Sequence, residues 1–251
     1  MTAPELSVLV VATICGAFLL AGTVKGTIGA GLPLASIPIV ALVVEPATAV
    51  SLTIVPVIVT NVWQALHGGR YREVLRRFWP FLACLIAGVI AGAQFLATAD
   101  PQVTKIVLGA IVAAVSLIQL VGGGSFTVPK RLRPWLDPLT GAASGVFGGM
   151  AGMMVPAILY AAALRLSKDV LISLFALVAL CGTIPLYVIL FANGALRWPE
   201  LLVSAAAMLP AFVGLVLGTK IRGRISQRLF ERCLFTGLIV IGLNLIRKGL
   251  M

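Results

Sequence analysis

The chain has 251 residues, of which 60% are hydrophobic and only 11% are charged, and its mean hydropathy is +1.11. This much apolar surface excludes a water-soluble domain and indicates a polytopic α-helical membrane protein. The formal net charge of +11 does not indicate a nucleic-acid partner, because the Lys and Arg residues lie in short loops between apolar segments.

The first apolar stretch, residues 6–44, is too long for one span and contains the segment GTVKGTIGAGLP at 22–33. Glycine and proline weaken a helix interior and an ammonium group is costly in hydrocarbon, so this segment predicts a break between two helical arms. The returning arm, 33–44, is only about 18 Å long, which favours a break inside the membrane. Lys25 either snorkels from the end of a full span or lies beside the break, and both interpretations stay open.

Six further apolar runs are long enough to cross the hydrocarbon core of a bilayer, which is roughly 30 Å thick. They are residues 47–66, 78–97, 103–121, 170–191, 200–219 and 229–247. A second interrupted stretch, 138–164, is broken by glycine. The basic loops at 70–77, 130–133 and 220–232 predict the cytoplasmic side, and this parity makes each interrupted stretch begin and end on one side.

Four glycine and proline positions recur 123 residues later, where Gly22, Gly26, Gly29 and Pro33 match Gly145, Gly149, Gly152 and Pro156. GVIAG at 88–92 likewise parallels GLVLG at 214–218. We therefore predict two inverted repeats, 6–121 and 138–247, within one membrane transporter domain, 1–251. Each repeat is a glycine-broken helical hairpin followed by three transmembrane helices, with about 8–10 membrane segments in all, which is a common plan of secondary transporters.

A broken helix exposes backbone N–H groups at the positive end of the following half-helix, and Pro33 and Pro156 suit such a start. Two such ends facing each other near the midplane predict an anion site; the alternative is that the glycines only allow close helix packing. Polar residues of the spans 47–66 and 170–191 extend the candidate set. The predicted substrate-binding residues are Lys25, Gly26, Gly29, Gly31, Pro33, Thr60, Asn61, Gln64, Gly149, Gly152, Pro156 and Thr183.

All eight acidic residues lie in loops or at the ends of spans, so the membrane interior is neutral to positive and favours an anion over a cation. No Ser/His/Asp set and no His/Glu metal pattern falls at membrane depth. We therefore expect no enzymatic activity, no metal and no cofactor. The four cysteines are far apart and are expected to be small core residues.

The repeated Gly-x-x-x-Gly-x-x-Gly-x-x-x-Pro elements at 22–33 and 145–156, the HGG turn at 67–69 and the basic central loop resemble the TauE/SafE-like sulfite exporter family. This family is also called the toluene sulfonate uptake permease family, and the resemblance covers nearly the whole chain. It implies transport of sulfite, sulfonates or related small organic anions. The sequence GTIGAGLP departs from the family's tighter glycine cluster, which affects the expected substrate more than the fold.

We expect a secondary transporter that moves a small anion across a bacterial-type cytoplasmic (inner) membrane by alternating access, with export favoured over uptake. Its partners are the anionic substrate and membrane lipids, with no nucleic acid, and a homodimer stays open. An anion channel and a non-transporting membrane subunit of a larger complex remain as alternatives.

Overall fold

A computed structural model of the protein describes residues 8–28, 31–67, 70–121, 128–164, 166–194, 196–221 and 227–251. These residues form α-helices and one short 3-10 helix, with no β-strand among them, which confirms the all-α class. In chain order the elements are α1 (Val8–Ile28), α2 (Leu32–Val40), α3 (Pro46–Ser51), α4 (Ile54–His67), α5 (Tyr71–Thr98), α6 (Pro101–Val121), η1 (Lys130–Leu132), α7 (Arg133–Ala151), α8 (Val155–Ala163), α9 (Lys168–Ala192), α10 (Trp198–Ile221) and α11 (Gln227–Leu250). By length and composition, α1, α5, α6, α9 and α10 are long and apolar enough to cross a membrane.

The apolar run predicted at 47–66 is helical but is divided into α3 and α4 by a turn at Leu52 and Thr53. Pro56 causes part of this break, since it has no N–H to donate to the carbonyl of Leu52. The buried hydroxyl of Ser204 on α10 replaces that bond by donating to the Leu52 oxygen at 2.7 Å. The same hydroxyl accepts from the Val55 amide at 3.1 Å. One serine therefore satisfies both sides of the break.

The chain divides into two compact units, and each unit takes helices from both halves of the sequence. Unit 1 comprises Met1–Pro56, Ala99–Gly122 and Gly194–Met251, and it holds α1, α2, α3, α6, α10 and α11. Unit 2 comprises Val57–Thr98 and Gly123–Asn193, and it holds α5, α7, α8, α9 and most of α4.

In unit 1, α1 packs against α10 through glycines on both helices. A Cβ atom on Gly22 would lie 2.0 Å from the carbonyl oxygen of Ala211, and one on Gly26 would lie 2.4 Å from that of Leu215. Gly218 on α10 is equally close to the backbone of Thr23. The contacts advance in the same direction along both helices, so α1 and α10 run parallel, and only glycine allows this backbone approach.

In unit 2, α5 and α7 repeat the arrangement. A Cβ atom on Gly145 would lie 2.1 Å from the carbonyl oxygen of Leu85, and one on Gly92 would lie 2.3 Å from that of Val146. These contacts also advance together, so α5 and α7 run parallel. Glycine has a hydrogen atom in place of a side chain, so the two backbones approach closely, as small residues allow between membrane helices.

The third glycine contact joins α6 and α11 in unit 1. A Cβ atom on Gly109 would lie 2.5 Å from the carbonyl oxygen of Gly242, whereas one on Gly249 would lie 2.7 Å from that of Gln102. Here one helix advances as the other recedes, so α6 and α11 are antiparallel. The directions of all three pairs agree with the parity that the loop charges indicate.

Candidate anion-binding elements

The hairpin of unit 1 has its break between Ile28 and Leu32, at the end of the segment predicted from the sequence. Helix α1 continues through Gly22, Lys25 and Gly26, and α2 begins immediately after Gly31. Gly31 has a φ of 97°, in the left-handed region that glycine adopts without strain. Pro33 is the second helical residue, one position later than the first helical position expected from the sequence.

The start of α2 carries backbone donors that the helix itself does not use. The first intrahelical bond runs from the Ala35 amide to the Gly31 oxygen at 3.2 Å, and no side chain caps this end. Leu32 and Leu34 therefore have N–H groups without an intrahelical acceptor, while Pro33 has none to satisfy. These groups and the helix dipole favour an anion at this end.

Lys25 lies in the last turn of α1 and is only 6% exposed. Its neighbour Val24 has a side-chain carbon 3.4 Å from the position of a Cβ atom on Gly31, so the last turn of α1 lies against the start of α2. A snorkelling lysine keeps its charged end in water, whereas this side chain is enclosed by protein. The burial therefore favours the second interpretation, in which Lys25 lies beside the break.

The hairpin of unit 2 has the same backbone plan. Helix α7 ends at Ala151, and Gly152 follows with a φ of 70° and donates its amide to the Gly148 oxygen at 2.7 Å. Helix α8 begins at Val155, so Pro156 again occupies the second helical position. Each hairpin therefore places a left-handed glycine before a short helix whose second residue is proline.

Gly26 and Gly149, two of the predicted binding residues, lie inside helices at close helix contacts. A Cβ atom on Gly149 would lie 2.5 Å from both the Ala93 nitrogen and the Val89 oxygen. This is the packing role that the sequence left open as an alternative, and a binding role for either glycine stays a prediction. Gly29, a third member of the set, lies outside the described residues.

The polar candidates of α4 and α9 bond within their own helices. The Asn61 side-chain nitrogen donates to the Val57 oxygen at 2.8 Å, and the Thr60 hydroxyl approaches the same oxygen at 3.3 Å. The Thr183 hydroxyl donates to the Ala179 oxygen at 2.6 Å. These bonds leave the hydroxyl oxygens able to accept but commit their protons. Gln64 lies in α4, and its side chain is outside the described set.

Lys25, Gly31 and Pro33 belong to the hairpin of unit 1, and Gly149, Gly152 and Pro156 belong to the hairpin of unit 2. The family model described as Sulfite exporter TauE/SafE matches residues 14–245, nearly the whole chain. The chain belongs to the TauE/SafE family. Neither the curated proteins nor the solved structures contain a match to it. Together with the apolar helices, the family makes the protein a membrane transporter.

One polar contact of this TauE/SafE transporter was missed from the sequence. Asp137, placed in a loop by the sequence, lies in the second turn of α7, where it accepts a hydrogen bond from the hydroxyl of Tyr160 on α8. Tyr160 also stacks on Phe81 of α5, with ring centroids 6.0 Å apart. Pro134, close to the start of α7, is the local signal for an earlier helix start. No local signal pairs residues 137 and 160.

Proposed function

We propose that this TauE/SafE protein is a secondary transporter for a small anion, which is sulfite, an organosulfonate or a related organic anion. The observation that carries the proposal is the buried Lys25 in the turn of α1 that lies against the start of α2. A buried lysine in a helix turn that packs against the start of α2, whose first N–H groups the helix does not use, is suited to an oxyanion, because both kinds of group stabilise negative charge. The family match supports the same substrate class.

The two hairpins offer different chemistry to this substrate. Unit 1 supplies one side-chain cation together with the donors of Leu32 and Leu34. The start of α8 supplies only backbone donors, those of Val155 and Ala157 on either side of Pro156. Backbone donors bind many oxyanions without distinguishing between them. We therefore infer that Lys25 provides affinity for negative charge, and that selection among anions depends on how the shape of each anion fits the site.

We infer alternating access from the repeated design. If residues 6–121 and 138–247 are inverted repeats, then α7 is the equivalent of α1, and α10 is the equivalent of α5. The parallel glycine contacts join equivalent pairs, α1 with α10 and α7 with α5, which supports the repeat. Inverted repeats with broken helices are a common basis of alternating access. Export as the direction fits the family description, and we infer a bacterial inner membrane as the location.

A flux assay in proteoliposomes tests the proposal. We expect saturable uptake or release of sulfite by the wild type and a loss of about tenfold or more in flux for Lys25→Met, because a charge-assisted contact to the anion is removed. Lys25→Arg keeps the charge and is expected to retain part of the flux. Lys105→Met, on α6 of the same unit, is the matched control and is expected to leave flux unchanged.

Other results assign other functions. Flux that rises without saturation indicates an anion channel, and no flux of any anion indicates a non-transporting subunit. Flux that saturates and is equal in the wild type and Lys25→Met refutes the role of Lys25 and leaves the backbone donors as the binding groups.

A further inference from the structure

In unit 2, the parallel packing of α5 and α7 brings two separate basic segments to one end of the unit. A Cβ atom on Gly141 would lie 2.3 Å from the carbonyl oxygen of Phe81, which fixes the register of the two helices. Because they run parallel, the residues preceding Phe81 lie beside those preceding Gly141. Segments 70–77 and 130–137 therefore lie at the same end of the unit, and together they contain seven Lys or Arg residues and two carboxylates.

Both carboxylates are already engaged. Glu73 pairs with Arg70 at 2.9 Å, and Asp137 accepts the hydrogen bond from Tyr160. Within the described residues, the exposed side chains of Arg72, Arg76 and Arg77 form no ion pair. The guanidinium Nε of Arg133, at the start of α7, is buried without a hydrogen-bond partner in the same described part. This end of the unit therefore has more cations than the protein neutralises.

Helix α5 is also too long for the membrane alone. Its 28 residues extend about 42 Å, compared with a hydrocarbon core of roughly 30 Å. The helix is kinked at Phe78, with φ −111° and ψ 18°, two residues before Pro80. Proline removes an intrahelical bond and crowds the preceding turn, so the kink has a local cause. The turns before Phe78 are thus a separate segment beyond the length that the hydrocarbon core requires, and we infer that they lie at the membrane surface.

This segment has three distinct stripes at helical spacing. Val74 and Phe78 are buried in the unit, while Leu75 and Trp79 are 42% and 65% exposed. Arg72 and Arg76 form an exposed basic stripe next to them. On α7, Trp135 is 81% exposed at the same end. Exposed Trp beside Arg is typical of a helix surface at the level of lipid headgroups, where the ring contacts apolar chains and its N–H reaches polar groups.

We propose that this surface, defined by Arg72, Arg76, Arg77, Trp79 and Trp135, binds the headgroups of anionic phospholipids. A guanidinium group can bind two oxygens of one phosphate at the same time, and juxtamembrane Lys/Arg clusters attract anionic lipid. The two tryptophans hold the acyl chains at the same depth. A lipid is favoured over a free anion because the arginines are combined with exposed apolar rings, which a small hydrophilic anion does not use.

Tryptophan quenching by brominated lipids tests the proposal on the whole protein in bilayers. One variant retains Trp79 alone and another retains Trp198 alone, on α10 of unit 1, with the other tryptophans changed to Phe. We expect brominated phosphatidylglycerol to displace phosphatidylcholine at Trp79 with a preference of roughly fivefold or more, the effect of about one effective charge contact. At Trp198 the preference should be close to one, and salt should weaken the preference at Trp79.

Arg72→Gln/Arg76→Gln/Arg77→Gln in the Trp79 variant is expected to abolish the preference. Lys105→Gln/Lys220→Gln/Arg247→Gln removes the same charge elsewhere and should preserve it. An equal preference at Trp79 and Trp198, a preference independent of salt, or full survival in the arginine variant overturns the proposal. Competition by soluble glycerol phosphate at the same strength also overturns it, since the surface then binds a free phosphate. The salt dependence needs no arginine substitution, so the test stands even if that variant does not fold.

Discussion

The two hairpins share a backbone plan and differ in the side chains around it. In unit 1, Lys25 precedes the break by one turn and is buried. The matching position in unit 2 is Gly148, where a Cβ atom would lie 2.6 Å from the Cγ of Met154. The Met154 side chain also fills the space beside Gly182 on α9, 1.9 Å from the position of a Cβ there. A cation in one hairpin is thus replaced by a thioether packed between two glycines in the other.

The two hairpins thus have similar backbones and different residues at the positions that the sequence matches. Gly31 directly precedes α2 and Gly152 ends α7, so each glycine takes a left-handed torsion next to a break, and the following helix has proline as its second residue. The residues at the matched positions 25 and 148 differ in kind, since Lys25 carries a charge and Gly148, which has no side chain, leaves room for Met154. The two hairpins therefore share backbone features, whereas a lysine at the matched position is present only in the hairpin of unit 1.

The returning arms are also held in different ways. In unit 2, Tyr160 of α8 donates to Asp137 of α7, so the hairpin is closed by its own two arms. In unit 1, Lys248 of α11 donates to the Leu42 oxygen just after α2, at 2.8 Å. That bond is exposed and comes from the far end of the sequence, and cations are favoured at such a helix C-terminus.

The largest expected effect concerns the glycine contacts that the hairpins share. Gly22→Ala and Gly145→Ala each place a methyl group about 2 Å from a backbone oxygen, which no side-chain rotation relieves. We expect each to lower the free energy of unfolding by about 3 kcal/mol. Unfolding in mixed micelles measures this.

Gly16→Ala is the matched control in α1, because a Cβ atom there meets nothing within 4 Å. It should be neutral or slightly stabilising, since alanine is the better helix former. If Gly22→Ala behaves like Gly16→Ala, the close approach of α1 to α10 is wrong. If only one of Gly22→Ala and Gly145→Ala is destabilising, the two contacts are not equivalent.

The second effect concerns the two hydrogen bonds that hold the returning arms, here called tethers: Tyr160 to Asp137 in unit 2 and Lys248 to the Leu42 oxygen in unit 1. Tyr160→Phe keeps the ring on Phe81 but removes the donor to Asp137, and we expect a loss of about 2 kcal/mol in the free energy of unfolding. Asp137→Asn retains an acceptor and should cost less. A double-mutant cycle measures the coupling, and additive losses in the double variant would contradict the bond.

The smallest effect is expected in unit 1. Lys248→Met removes an exposed bond to a helix-end carbonyl and should lower the free energy of unfolding by about 0.5 kcal/mol, with the difference disappearing at high salt. Arg247→Met is the control, because Arg247 bonds to Asn244 of its own helix. A loss for Lys248→Met as large as that for Tyr160→Phe would show that the two tethers are equivalent.

Several local features were predictable because their causes lie in adjacent residues. The apolar runs, the break near 22–33 and the proline starts of α2 and α8 all follow from residue type and spacing. The division of 47–66 was missed, although Pro56 is its cause, because a membrane helix often tolerates proline and the donor that stabilises the break is Ser204, 152 residues away. Asp137 was missed for the same reason, since its partner lies on another helix.

The sequence by itself determined the membrane class and the positions of the two hairpin breaks, and it indicated the parity of the spans, because hydropathy, backbone torsion preferences and loop charge are properties of short segments. Only the tertiary structure decided which helix each glycine contacts, that Lys25 is enclosed, and that the basic segments at 70–77 and 130–137 lie at the same end of unit 2. Those facts depend on helices far apart in the chain. A glycine permits close approach to any backbone, and a lysine is buried only when other elements surround it.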